Sequence, residues 1–325
     1  MNTLFKQVIA VGAITVLNAF TAHAQTTWPD RPIKVVVPYT PGGGTDAVTR
    51  NLLDKLTSET KWMLIVDNKP GGGGNVGLDI VAKSKPDGYT LGMGQTANLA
   101  INPALMQKMP FDPVKDLIPV ALIAELPTLL VVRQDSPMKN LSDVIQAAKA
   151  KPGNLKQALA GSGTVGHLAG EMLAVKAGIS FLNVPYKGAA PAITDLLGGQ
   201  TDFMFATPQG VLGMIKGGKM RALAVTSTRR LSVLPEVPTV AESGYKGFEA
   251  VDWKLLVAPA NTPASVIQKI NAAVEKALAN PAFKAQLNAE GSAPLGGTSQ
   301  KAAEYLRAEQ TEWAVLIRTA NIKLD

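Results

Sequence analysis

Hydrophobic residues fall along this chain in two alternating rhythms. Ile33-Lys34-Val35-Val36-Val37 is a short β-branched run closed by Pro32 and Pro38, which reads as a buried strand. A turn at residues 41–46 follows. Ala47, Val48, Leu52, Leu53 and Leu56 then recur at helical spacing, with Thr45 or Asp46 as the N-cap. The unit returns: residues 62–66 read as a strand, 70–74 as a glycine loop, and Leu78, Ile80, Val81 and Ala82 as the apolar face of a helix. Lys85-Pro86-Asp87-Gly88 turns the chain into another strand at 89–93.

Further strands read at residues 120–123, 129–132, 155–160, 181–184, 203–206, 222–226 and 251–257. Helices read at 141–150, 167–177 and 191–197, the first stopped by Lys151-Pro152-Gly153. Strand–loop–helix order repeated this often predicts an α/β fold of mixed, mostly parallel sheets flanked by helices. Such sheets bind ligands beyond the carboxyl ends of their strands, which places the glycine loops at the functional edge. The chain ends in helices. Thr262-Pro263 starts one whose apolar face is Val266, Ile267, Ile270, Val274, Ala277 and Leu278, and the last spans 302–320.

The N-terminus changes the picture. Lys6 precedes an uncharged apolar run over residues 8–22, and Ala22-His23-Ala24 follows as an A-x-A cleavage site. This is the layout of a secretory signal peptide removed after Ala24. The run is too short for a spanning helix, which needs roughly 18 residues. The mature chain, from Gln25, is therefore expected to be an exported, soluble protein. Its length suggests two domains.

Composition then excludes chemistry. The chain has no cysteine and only two histidines, of which His23 leaves with the leader. Thiol catalysis, cysteine zinc sites and Fe–S clusters are excluded, and no metal or cofactor is expected. The net charge is +7, or +6 without Lys6. The basic residues are scattered and not interleaved with aromatics, which argues against nucleic acid.

The loop at 41–46 carries the most chemistry. Its glycines let a ligand approach the backbone, and the next helix offers unpaired N–H groups and a positive dipole end. A carboxylate or phosphate fits such a cradle, and an empty tight turn gives the same pattern. Asp46 beside an anion would repel it, so its first role is to cap the helix or orient a water. Gly72, Gly74, Gly77 and Gly161, Gly163, Gly166 both match G-x-G-x-x-G, but neither following strand ends in an acidic residue to hold a ribose. There is no G-x-S-x-G elbow, and Ser136-Pro137-Met138-Lys139 lacks the companion motifs of an S-x-x-K enzyme. His167, near Ser162 and Thr164, reads as a structural histidine before it reads as a base. The four tryptophans read as packing. Tyr39 and Tyr186, each just past a strand, could line a pocket.

An ordered series of motifs spans the mature chain. It runs Trp28-Pro29-Asp30-Arg31-Pro32-Ile33, Val37-Pro38-Tyr39-Thr40-Pro41-Gly42-Gly43-Gly44-Thr45-Asp46, Asn68-Lys69-Pro70-Gly71-Gly72 and Lys85-Pro86-Asp87-Gly88-Tyr89-Thr90-Leu91. Ile101-Asn102-Pro103, Pro110-Phe111-Asp112-Pro113, Gly163-Thr164 with His167-Leu168, Val184-Pro185-Tyr186-Lys187-Gly188, Leu197-Gly198-Gly199-Gln200 and Leu234-Pro235-Glu236-Val237-Pro238-Thr239 complete it. The series resembles the Bug family, also called TctC-like, of extracytoplasmic receptors for tripartite tricarboxylate transporters.

That resemblance implies a two-lobed periplasmic-binding-protein fold with the ligand cleft between lobes, and no enzymatic activity. The first lobe would comprise residues 25–124 and 245–325, the second 125–244. The ligand would be a small carboxylate: a di- or tricarboxylate, an amino acid or an aromatic acid. The family pattern assigns its binding to Tyr39, Gly42, Gly43, Thr45 and Asp46, to Ser162, Gly163 and Thr164, and to Thr96, Ala97 and Asn98 in a pocket-shaping loop. Tyr186, Thr207 and Pro208 would discriminate between ligands. Tyr39 departs from the usual Phe, and the segment Gln95-Thr96-Ala97-Asn98 has fewer hydroxyls than usual. Partners implied are the membrane permease subunits of a tripartite transporter, or a membrane sensor, with the receptor itself monomeric. An exported hydrolase or dehydrogenase is the remaining alternative, and it lacks its motifs.

Overall fold

The computed structural model describes residues 28–319 and 322. The leader expected at 1–24 and the end of the last helix at Ala320 lie outside the described residues. Arg31–Asp325 forms one compact unit. Among the described residues, no helix is long and apolar enough to cross a membrane.

β1 (Ile33–Val37), α1 (Gly44–Thr60) and β2 (Leu64–Asn68) form the first unit. A glycine turn and α2 (Asn75–Ala82) lead to β3 (Thr90–Gln95). One wide helical turn, Ala97–Ile101, and the short α3 (Asn102–Leu105) then precede the long β4 (Leu117–Pro127). A second region follows: β5 (Leu129–Arg133), α4 (Leu141–Ala150), β6 (Lys156–Leu159), α5 (Val165–Ala177), β7 (Leu182–Pro185), α6 (Ala189–Leu197), β8 (Phe203–Ala206), α7 (Pro208–Lys216) and β9 (Met220–Val225). The chain returns through β10 (Val251–Pro259), α8 (Ala264–Ala279), α9 (Pro281–Ala289), β11 (Ala293–Pro294) and α10 (Ser299–Thr319).

These strands make two sheets, ordered β11-β4-β10-β3-β1-β2 and β7-β6-β8-β5-β9. The strand–loop–helix units give the parallel ladders, β2-β1-β3 and β7-β6-β8. Antiparallel ladders join β10 to β3 and β4, and β5 to β8 and β9. Antiparallel pairing is more extensive than the repeated units alone suggest, because β4, β5, β9 and β10 carry the chain between the sheets. Thr128 alone separates β4 from β5.

Local chemistry explains most boundaries. β1 is β-branched and buried at four of its five positions, as a central strand requires. α4 starts with a capping box between Asn140 and Asp143. Thr164 caps α5, and Gly178 ends it in the left-handed region at φ 63°. α1 differs from the sequence expectation: it begins at Gly44, with the extended Gly43 as N-cap and no side-chain cap. α7 and α9 have no counterpart in the hydrophobic pattern. Pro208 opens α7, and Asn280 with Pro281 opens α9.

Candidate ligand-binding cleft

A narrow cleft opens where the two sheets face each other. Tyr39, Gly43, Gly44, Thr45, Gln95 and Asp252 line it from the first sheet's side. Ala160, Thr164, Val165, Gly166, Ala189, residues 204–206 and Thr207 line it from the second, and Thr128 sits at the crossing.

Helix starts dominate this lining. α1 begins at Gly44 and α5 at Val165, and both first turns are in the wall. Ala189 opens α6, and Thr207 is the N-cap of α7. The first amides of an α-helix have no intrahelical acceptor, and the helix end carries about half a positive charge. Four such ends converge here, so the cleft favours an anion although no Arg or Lys lines it.

The glycine loop that feeds α1 is held from behind. Asp46 Oδ2 accepts the Gly42 amide at 3.0 Å and Arg50 Nε at 2.9 Å, and its Oδ1 accepts Asn68 Nδ2 at 3.0 Å. Burial alone would raise this carboxyl. The bonds from Arg50, Asn68 and Gly42 outweigh it and hold the group below the usual aspartate value. Asp46 therefore spends its charge on shaping the loop and is not in the cleft wall.

The floor is a buried polar cluster. Gln95 Oε1 accepts from Thr45 Oγ1 and, at 2.8 Å, from Lys254 Nζ. Lys254 also pairs with Asp252 Oδ2, two residues away on the same face of β10. Lys254 is wholly buried, and its removal from water pulls its pKa down against the opposing pull of Asp252. The Tyr39 hydroxyl donates to Gly73 O at 2.7 Å. Burial, with the Asp252 charge adding to it, pushes the Tyr39 phenol well above its ordinary value and keeps it neutral.

The structure thus brings Tyr39, Gly43, Thr45, Thr164 and Thr207 into one cleft. Thr164 contributes backbone, since its hydroxyl accepts the His167 amide and donates to Gly161 O. Ser162 and Tyr186 line an adjoining cavity that shares Tyr39 and Ala160 with the first. Tyr186 gives its hydroxyl to Asp195 at 2.6 Å, and its pKa is pushed up to about 12 by burial and by that partner. Gly163 lies against the Asn102 side chain, and its amide donates to His167 Nδ1 at 3.1 Å. His167 is buried and serves this loop. Thr96, Ala97 and Asn98 sit behind the wall: Thr96 Oγ1 accepts the Trp253 amide, and Asn98 Oδ1 accepts that of Gln95. Pro208 packs toward Gly291 and lies outside the lining.

Sequence reasoning missed Gln95, Asp252 and Lys254. One signal was available: Asp252-x-Lys254 puts two charges on one face of an otherwise apolar strand. The two halves of the molecule also touch around the cleft. Gly73 abuts Ser162 O, a Cβ on Gly44 would overlap the Thr207 side chain, and Gln209 Nε2 reaches Glu290 O at 2.9 Å.

A sequence profile described as "Tripartite tricarboxylate transporter family receptor" matches residues 48–322. Protein BugT of Bordetella pertussis is 36% identical over 92% of this chain and 92% of its own. The solved structure "R. palustris Rpa4515 with adipate" is 33% identical with a TM-score of 0.88, covering 91% of this chain and 99% of that one. MatC (Rpa3494) from Rhodopseudomonas palustris with bound malate is 31% identical with a TM-score of 0.85, covering 89% and 100%. The two-lobed fold is that of periplasmic binding proteins, and these relatives are solute-binding receptors and not enzymes. The chain belongs to the Bug, or TctC-like, family of tripartite tricarboxylate transporter receptors.

Proposed function

We propose that this protein captures a small carboxylate in the periplasm and delivers it to the membrane subunits of a tripartite transporter. The observation that carries this reading is the convergence of the α1 and α5 N-termini on one cleft. The ligand's carboxylate lies between the amides of Gly44 and Thr45 and those at the start of α5. Each hydrogen bond to a charged group contributes about 1.5–3 kcal/mol, so a few of them approach the roughly −8 kcal/mol of micromolar binding. The adipate and malate of two similar structures support a carboxylate.

The lobes divide near Glu125 and Tyr245, with the first built from residues 25–124 and 245–325. A ligand touching both lobes binds the closed form better and shifts the hinge equilibrium. The leader is removed after Ala24, and the receptor acts as a monomer.

A thermal-shift screen of the mature protein against a panel of carboxylic acids tests this. A ligand at 100 times its Kd adds about 2.7 kcal/mol of stability. A shift confined to one chemical group of acids supports the reading. No shift with any acid overturns it.

A further inference from the structure

Among the described residues that line the cleft, one buried side-chain polar atom has no hydrogen-bond partner. Asp252 lines the cleft from β10 and is 4% exposed. Its Oδ2 holds the Lys254 ammonium, while its Oδ1 is buried without a hydrogen bond. The neighbouring polar groups are engaged. Gln95 Oε1 takes Thr45 and Lys254, and the Tyr39 hydroxyl takes Gly73 O. A buried carboxylate oxygen left unpaired is costly, and the cost is recovered only by a donor brought into the cleft.

Lys254 does not offer itself to the ligand. It is wholly buried, is not in the wall, and spends its ammonium on Asp252 and Gln95. The pair is neutral in sum, and of the two residues only Asp252 belongs to the cleft lining. The opposite character comes from the starts of α1 and α5. The cleft is therefore bipolar, with an anion-seeking end and a donor-seeking end.

We propose, resting on the carboxylate-receptor reading above, that this receptor selects acids that also carry a hydrogen-bond donor, a hydroxyl or an ammonium, seated on Asp252 Oδ1. A plain diacid of the same skeleton is disfavoured, because its second carboxylate would face the Asp252 oxygen with no cation free to separate them. Asp252 is thus a specificity-determining residue.

The test is calorimetric titration of the mature protein with skeleton-matched acids: propionate, lactate and alanine; succinate, malate and aspartate; phenylacetate, mandelate and phenylglycine. In the set that fits, the hydroxyl or ammonium member binds at least about tenfold tighter than the plain acid, since a site built to pair a donor rejects the analogue without it. Which member wins identifies the donor. In the double variant Asp252→Leu/Lys254→Met, which removes the acceptor and keeps the floor uncharged, that ratio falls to about threefold or less. Thermal melts and circular dichroism confirm that the variant is folded. Plain acids binding as tightly as donor-bearing ones, or a ratio unchanged in the variant, overturns the role of Asp252 and leaves the carboxylate reading standing. No binding by any of the acids removes both.

Discussion

Thr128 and Thr226 bond each other where the chain passes between the two sheets. The Thr128 amide donates to Thr226 Oγ1 at 2.8 Å, and the Thr226 amide donates to Thr128 O at 2.9 Å. Thr226 Oγ1 also donates to Ala250 O at 2.6 Å, and the Ala250 amide returns to Thr226 O at 3.1 Å. Thr128 lies between β4 and β5, Thr226 just after β9, and Ala250 just before β10. One buried hydroxyl therefore ties both crossings together.

Thr226→Val keeps the shape and deletes the hydroxyl, leaving the buried Thr128 amide and Ala250 carbonyl each short of a partner. The expected cost is about 1–3 kcal/mol per orphaned group. Thr226→Ser should recover most of it. Urea unfolding of the three proteins checks this, and equal midpoints for Thr226→Val and wild type would remove the clamp.

Lys254 stands directly opposite Gln95 in the β10–β3 ladder, and among the described residues its charge partner within salt-bridge distance is Asp252. Lys254→Met leaves the Asp252 charge buried and uncompensated, at a cost of about 3–5 kcal/mol. Replacing both charges, as Asp252→Asn/Lys254→Met, should cost far less, because the pair's attraction barely exceeds its desolvation. Chemical denaturation of the single and double variants completes the cycle. A double variant as unstable as the single one would show that the pair stabilises the fold outright.

Much of this architecture was legible because it is local. The β-branched run at Ile33–Val37, the Lys151-Pro152-Gly153 stop and the glycine loops announce a strand, a helix end and close approaches from neighbouring residues alone. The start of α1 was misread because its N-cap is Gly43, which has no side chain to show. The amides of Gly44 and Thr45 thereby enter the wall, and Asp46 is freed to hold Gly42 from behind. α7 was hidden by Gly210 and Gly213, which dilute its apolar face. Asp252 and Lys254 could not be placed because charges in a strand ordinarily mark its solvent face. Here both faces of β10 are buried, and the partner that shows it, Gln95, comes from a strand far away in sequence. Conversely, Thr96 and Asn98 looked like ligand-facing polar residues, yet their side chains hold the Trp253 and Gln95 amides.

Asp46 makes the glycine loop sensitive to acid. Its folded pKa lies below the ordinary value, so its stabilisation is complete above the unfolded aspartate pKa of about 3.9. The stabilisation is lost as pH falls through the folded value. Asp46→Asn should cost about 1.5–3 kcal/mol at pH 7, the worth of its charge-assisted bonds. The gap between variant and wild type should close as the pH drops below about 4. Denaturation midpoints measured across pH 2–7 check the sign, and a gap that widens in acid would contradict it.

Gly44 marks where closure is decided. It is the first residue of α1 with an ordinary helical backbone, so alanine fits the helix itself. A Cβ there would overlap the side chain of Thr207, the N-cap of α7 on the other side of the cleft. Gly44→Ala should therefore leave the stability of each lobe unchanged and penalise only the state in which α1 and α7 meet. Overpacking of this kind costs about 1–3 kcal/mol. Charged to the closed form alone, it weakens ligand binding about 5–150-fold. Small-angle scattering should show the variant expanded relative to wild type at equal ligand concentration, while its unliganded melting temperature stays the same. A variant that binds as tightly as wild type would mean that ligand capture does not require α1 and α7 to meet at Thr207.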